Sequence, residues 1–208
     1  CNTLEGKKIM EASKKLVKEH YTGARAKDYE SGRRTNPKWM TEQKIVENFI
    51  LNNKNISTVI DAPLGTNRYG IFLEKCPHVQ KVYGYEFSDD MITEARKSIS
   101  TKLEIYKHDL VNETIHEKAQ LSIIMRMLNL FDEDDSTKIL QNILQATEEY
   151  SILSLRHWLS PPKYIENKIT IQNFHAMERV INNCGFNIIA EKEIKDSKKA
   201  ILHYQLLK

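Results

Sequence analysis

A chain of 208 residues, 40% hydrophobic and 28% charged, has the size and composition of one soluble domain, and it is long enough to bury a core without staples. That excludes a disordered, collagen-like or disulfide-dense architecture. The net charge of +3, from 31 basic and 28 acidic residues, is too small a surplus to imply a nucleic-acid or membrane partner.

The first 50 residues read as mostly helical. Leu4, Ile9, Met10, Leu16 and Val17 recur at near-helical spacing in a Lys/Glu-rich background. Residues 21–37 are polar and carry Gly23, Gly32 and Pro37, which predicts a loop or broken helix. Lys27, Arg33, Arg34 and Lys38, in and beside that stretch, form either a solvated basic face or a basic pocket. Thr41 opens a second helix with the stripe Ile45, Val46, Phe49 and Ile50, and Asn52 and Asn53 end it. Ser57-Thr58-Val59-Ile60 is a short β-branched strand, and Asp61-Ala62-Pro63-Leu64-Gly65-Thr66-Asn67 is the turn after it. Residues 69–76 suit a short helix. Val82-Tyr83-Gly84-Tyr85-Glu86-Phe87 is a second strand. Ser88 then caps a helix whose first turn holds Asp89 and Asp90 and whose apolar side is Met91, Ile92 and Ala95. Residues 103–106, 121–125 and 151–155 are the third, fourth and fifth strands, with a helix core at residues 139–144. Pro161-Pro162 breaks the chain. Residues 173–183 form a helix that Gly185 stops, and residues 187–193 and 200–206 close as a hairpin.

Short strands alternating with helices mean an α/β fold: a Rossmann-like doubly wound sheet, mostly parallel, with a C-terminal antiparallel hairpin and N-terminal helices. The predicted division is a helical cap over residues 1–55 and a sheet domain over residues 56–208. Cys1, Cys76 and Cys184 are an odd, sparse set that suits a reducing compartment. No apolar run approaches the ~18 residues of a membrane span, so a cytoplasmic protein is expected. The histidines are scattered and no His/Cys/Asp cluster has zinc-like spacing, so no metal is expected.

In an open α/β sheet, ligands bind beyond the carboxyl ends of the strands. Asp61 ends the first strand, Glu86 the second; His108 and Asp109 follow the third, and Arg126 and Asn129 the fourth. Glu86 comes one strand-helix-strand unit after Asp61, where an acid accepts both hydroxyls of a ribose. Its structural alternative is a charge at the start of the helix capped by Ser88. A carboxylate at Asp109 accepts from an adenine amino group; its alternative is a turn cap. Met125, Met127 and Leu128 are core or pocket wall, and His175 is structural or exposed.

These residues carry a resemblance to the class I S-adenosylmethionine-dependent methyltransferases, over the chain from about Tyr21 onward. Val59-Ile60-Asp61-Ala62-Pro63-Leu64-Gly65-Thr66-Asn67-Arg68 resembles the family's first motif. Val82-Tyr83-Gly84-Tyr85-Glu86-Phe87-Ser88-Asp89-Asp90-Met91 resembles the second, His108-Asp109-Leu110 the third, and residues 121–131 the fourth, where a strand runs into the loop beside the transferable methyl. The resemblance implies S-adenosyl-L-methionine as cofactor. It implies contacts from Asp61, Ala62, Pro63, Gly65, Asn67, Glu86, Phe87, Met91, His108, Asp109, Leu110 and Arg126. Two places depart from the family's usual glycine-rich turn: Pro63 and Asn67 stand where glycines are common. A subset of the family carries a D-x-P-x-G-T-G turn, so Asn67 is the larger departure. The resemblance also implies that Tyr29, Arg33 and Arg34 close over the cofactor, the arginines toward its carboxylate and Tyr29 near its sulfonium.

The implied activity is methyl transfer to a small-molecule acceptor, with Tyr29 and His157 as candidate bases. Arg126-Met127-Leu128-Asn129 stands where base-amino methylases of nucleic acid carry Asn-Pro-Pro-Tyr or Asp-Pro-Pro-Tyr, which argues against a nucleic-acid substrate. Two other readings stay open: a cofactor-binding partner subunit without catalysis, and an enzyme that cleaves S-adenosylmethionine. Oligomeric state is not legible.

Overall fold

A computed structural model describes residues 37–98, 100–158, 174–197 and 200–208. The first expected helix, Tyr29, Arg33, Arg34 and the Pro161-Pro162 break lie outside the described residues. Helix α1 (Pro37–Asn52) leads into strand β1 (Thr58–Asp61). Next come α2 (Gly70–Lys75), β2 (Lys81–Glu86), α3 (Asp89–Ala95), β3 (Leu103–Lys107) and β4 (Ala119–Ile124). The chain closes with α4 (Glu133–Gln145), β5 (Thr147–Trp158), α5 (Phe174–Asn183), β6 (Ile188–Ser197) and β7 (Ala200–Leu207).

The seven strands form one sheet in the order β3-β2-β1-β4-β5-β7-β6. β1 to β5 pair in parallel and β7 runs antiparallel between β5 and β6, the expected mostly parallel sheet with a closing hairpin. β1 lies between β2 and β4, with Asp61 in register with Gly84 on one side and Ile123 on the other. That is the point where the strand order reverses, and a crevice opens there beyond the strand ends.

Alternation along the strands fills two cores. Val59, Leu121 and Ile123 pack on one face with Val46 and Ile50 of α1 and Leu73 of α2. Ile60 and Ile124 pack on the other with Leu140 and Ile143 of α4 and Ile181 of α5. Burying each such side chain stabilises the fold by about 1.5–3 kcal/mol. Both faces are covered, which is why the parallel strands read as continuous apolar runs. α1 is thus part of one helical layer over the sheet.

Helix starts follow local chemistry. Ser88 Oγ accepts the Met91 N–H at 3.4 Å, with Asp89 and Asp90 in the first turn of α3. Asp132 Oδ1 accepts the Asp135 N–H at 2.8 Å, and Glu133, Asp134 and Asp135 favour the positive end of α4. α1 starts at Pro37, earlier than Thr41, because proline at a first helical position needs no N–H partner. β5 outruns the expected 151–155, since β7 pairs with it as far as Trp158. Gly185, at φ 84°, follows the end of α5. Among the described residues no helix is long and apolar enough to cross a membrane.

Candidate functional site

The turn after β1 is built from backbone bonds to both neighbouring strands. Ala62 donates its N–H to Ile123 O at 3.1 Å, and Leu64 donates to Tyr85 O at 2.8 Å. The Ala62–Pro63 peptide is cis. Gly65 stands at φ 58° and Asn67 at φ 61°, a left-handed region that glycine enters freely and asparagine better than most.

Glu86 is the acid that organises this turn. Its Oε2 accepts the Gly65 N–H at 2.9 Å. Its Oε1 accepts the N–H groups of Phe87 and Ser88, each at 2.9 Å. The residue is 8% exposed, and its carboxylate is fixed at the end of β2 by three backbone donors. The structure bears out the helix-start reading of Glu86, and it also places the residue in the lining of the crevice.

The next strand end is held as firmly. Asp109 Oδ1 accepts the Val111 N–H at 3.1 Å and Oδ2 accepts from Asn112 Nδ2 at 2.9 Å, so this carboxylate does cap a turn. His108 Nε2 lies 3.2 Å from Glu113 O, and Tyr85 meets its ring edge-on at 5.1 Å between centroids. Buried Met91 and Leu110 and the 39% exposed Phe87 supply apolar surface beside these acids.

A second wall comes from residues that the sequence reading did not join. Glu42 of α1 is fully buried. Its Oε1 accepts from Arg68, and its Oε2 accepts from Arg126 Nε at 2.7 Å and from the Tyr204 hydroxyl at 2.8 Å. Arg68 also donates to Trp39 O. The Trp39 ring faces both guanidiniums, Arg126 at 5.0 Å and Arg68 at 5.8 Å. Burial opposes the charge on Arg68, but Tyr69 and Glu42 outweigh it and hold its pKa above the ordinary value. Arg126 stands at φ 57°, and its N–H donates to Ser154 Oγ on β5 at 2.8 Å.

The two walls enclose a cavity of about 270 Å³. It brings together Asp61, Pro63, Gly65, Glu86, Phe87, Met91, His108, Asp109, Leu110 and Arg126, and adds Trp39, Glu42, Arg68 and Tyr69. Of the expected contacts, Ala62 and Asn67 stand outside this lining. Ala62 is fully buried between strand ends. Asn67 turns its side chain over Gly70, where a Cβ would sit 2.2 Å from Nδ2. His157 lies within β5, paired with Ile201, with its side chain outside the description. Among the described residues no group of three His, Cys, Asp or Glu is placed to hold a metal ion.

No protein-family model and no curated protein matches the sequence. Solved structures do. Magnesium protoporphyrin IX methyltransferase (ChlM) from Synechocystis PCC 6803 with bound SAM superposes at a TM-score of 0.67 and 15% identity, covering 93% of this chain and 96% of that one. The N-methyltransferase NodS from Bradyrhizobium japonicum WM9, in complex with S-adenosyl-L-homocysteine, gives 0.63 at 12% identity over 83% and 88%. An S-adenosylmethionine-dependent methyltransferase from Mesorhizobium loti gives 0.64 at 13% over 85% and 100%. At these identities the likeness is one of fold: the chain has the fold of the class I S-adenosylmethionine-dependent methyltransferases.

Proposed function

We propose that the chain is an S-adenosylmethionine-dependent methyltransferase that acts on a small-molecule acceptor. The observation that carries this reading is the Glu86 carboxylate, fixed by Gly65, Phe87 and Ser88 at the strand end where such an acid meets ribose hydroxyls. The bound SAM of the similar Synechocystis structure and the bound S-adenosyl-L-homocysteine of the Bradyrhizobium one support the choice of ligand.

The residues present fit that group. Glu86 accepts from the ribose, and Phe87, Met91 and Leu110 cover the base, with Asp109 at its amino edge. Gly65 lets the turn approach closely because it carries no side chain. Arg33 and Arg34 are the proposed partners of the ligand carboxylate. When bound, S-adenosylmethionine supplies a methyl made electrophilic by its sulfonium. The chain's own residues then hold the acceptor nucleophile in line and keep water out, so positioning carries most of the rate. Tyr29 and His157 are the proposed bases for the proton that the acceptor loses. The division into a helical cap over residues 1–55 and a sheet domain over residues 56–208 belongs to the same proposal, with Trp39 and Glu42 of α1 at the ligand edge.

Incubation with S-adenosylmethionine labelled in its methyl group, across a panel of small nucleophiles, tests the reading. Label recovered in an acceptor, with S-adenosylhomocysteine as the other product, supports it. Breakdown of the cofactor with no label in any acceptor would replace it with the cleavage reading.

A further inference from the structure

The cofactor as proposed meets residues at the ends of β1, β2 and β3, and reaches the loop after β4 at Arg126. In the strand order β1 stands between β4 and β2, so this loop lies across the switch point from Glu86. It lines the cavity with four further residues, Met125, Met127, Leu130 and Phe131. The proposed cofactor contacts use none of them, and they are the next surface of the cavity beyond Arg126.

The loop spends its polar groups on its own structure. A 3-10 turn covers Leu128–Leu130, and the Leu130 N–H donates to Met127 O at 2.8 Å. Ser136 Oγ of α4 donates to Leu128 O at 2.7 Å and stands 3.3 Å from Phe131 O. The Arg126 N–H is taken by Ser154 Oγ and its Nε–H by Glu42. Asn129 is buried and stands outside the lining. Apart from Arg126, the loop therefore shows the cavity two thioethers, an isobutyl group and a phenyl ring. Met127 belongs to the core under α4 and Phe131 packs against it, while Met125 packs against the core under α1.

We propose that this loop, residues 125–131, is the subsite for an uncharged aromatic ring carried by the methyl acceptor. The proposal rests on the methyltransferase reading. A charged group set on Met127, Leu130 and Phe131 loses its water and gains no partner from them, which is costly. A neutral ring loses little and gains apolar contact. Thioether sulfurs favour the edges of aromatic rings, and Phe131 adds a ring-to-ring contact. Leu130 and Phe131 are the specificity-determining residues.

Calorimetric titration of the chain saturated with S-adenosylhomocysteine tests this. The probes are phenol, its saturated counterpart cyclohexanol, and benzoate. Phenol should bind about tenfold more tightly than benzoate and about threefold more tightly than cyclohexanol. Leu130→Glu, which sets a carboxylate on the subsite, should weaken phenol about tenfold while S-adenosylhomocysteine affinity moves by less than about threefold. Phe131→Leu, which keeps the apolar bulk and removes the ring, should narrow the preference for phenol over cyclohexanol. No binding of phenol overturns the proposal, as does binding of benzoate or cyclohexanol as tight as that of phenol. Phenol affinity unaltered in both variants places the ring elsewhere and overturns it too. If Leu130→Glu weakens S-adenosylhomocysteine as much as phenol, the loop serves the cofactor and the proposal falls. If S-adenosylhomocysteine does not bind the unaltered chain, the methyltransferase reading falls and the acceptor assignment with it, whatever the probes do. If it binds and phenol shows no preference, only the subsite falls.

Discussion

Glu42 Oε2 accepts the Nε–H of Arg126 at 2.7 Å, across 84 residues of chain. The pair ties α1 to the loop after β4, and both charges are taken out of water to make it. Removing one partner of a buried ion pair leaves the other uncompensated, which typically costs about 3–5 kcal/mol. Glu42→Ala should therefore destabilise the fold by about 3 kcal/mol or more, read as a lower urea midpoint at unchanged m-value. Tyr204→Phe, which removes one neutral donor to the same carboxylate, should cost only about 1 kcal/mol. Equal effects of the two changes would contradict the ion-pair account.

Glu86 accepts from Gly65, Phe87 and Ser88 and is the proposed ribose ligand, and its variants should show both. Glu86→Ala removes the acceptor of three backbone N–H groups and the proposed ribose ligand together. S-adenosylhomocysteine affinity should fall at least tenfold, about 1.4 kcal/mol. Stability should fall as well, by about 1–3 kcal/mol, as buried donors lose their partner. A variant with lower stability and unaltered affinity would take Glu86 out of the ligand site.

Asn67 and Gly70 form a steric pair. A Cβ on Gly70 would lie 2.2 Å from Asn67 Nδ2 and 2.3 Å from Oδ1. Gly70→Ala should destabilise by about 1–3 kcal/mol through overpacking. In an Asn67→Gly background most of that cost should vanish, because the side chain in the way is gone and glycine accepts φ 61° without strain. Thermal unfolding of the two single variants and the double variant measures the coupling; additive effects would show that the contact is not what excludes a side chain at Gly70.

The Tyr85 hydroxyl donates to Glu117 Oε2 at 2.5 Å. Burial, and then this bond, hold the Tyr85 pKa above the ordinary tyrosine value, while the same bond holds the Glu117 carboxyl below the ordinary glutamate value. A raised folded pKa contributes stability that is whole below the unfolded value, about 10 for tyrosine, and lost as pH climbs through the folded value. A depressed carboxyl pKa contributes stability that is whole above about 4.3 and lost as pH falls through the folded value. Tyr85→Phe should thus lower stability at neutral pH by about 1 kcal/mol and flatten the stability–pH curve at both ends. Urea unfolding over a pH series reads this; slopes equal to those of the unaltered chain would contradict it.

The Glu86 side of the cavity is legible in the sequence, and of the opposite wall only Arg126 is, for a physical reason. Asp61 and Glu86 each end a short strand and Asp109 follows the next one by two residues, so local pattern alone carries them to the sheet's carboxyl edge. Asn67 shows the limit of a motif: its left-handed conformation follows from residue type, but its side chain goes over Gly70, a contact that needs coordinates. Glu42 did leave a trace. Glu42, Val46 and Ile50 are spaced by four and all buried, so an acid stands on the apolar face of a helix and requires a cationic partner. Which cations answer it depends on the turn after β1 and the loop after β4 meeting at one sheet edge, and no local spacing encodes that. β5 extends beyond residues 151–155 at both ends because its length is set by its neighbours, β4 pairing from Thr147 and β7 as far as Trp158, not by its own composition.

The most direct measurement is calorimetric titration of S-adenosylhomocysteine into the intact chain. The account predicts saturable one-to-one binding in the micromolar range, with a rise in unfolding temperature as bound ligand stabilises the native state by about 2.7 kcal/mol at a hundredfold excess over Kd. No heat of binding and no shift in unfolding temperature at saturating ligand would contradict it.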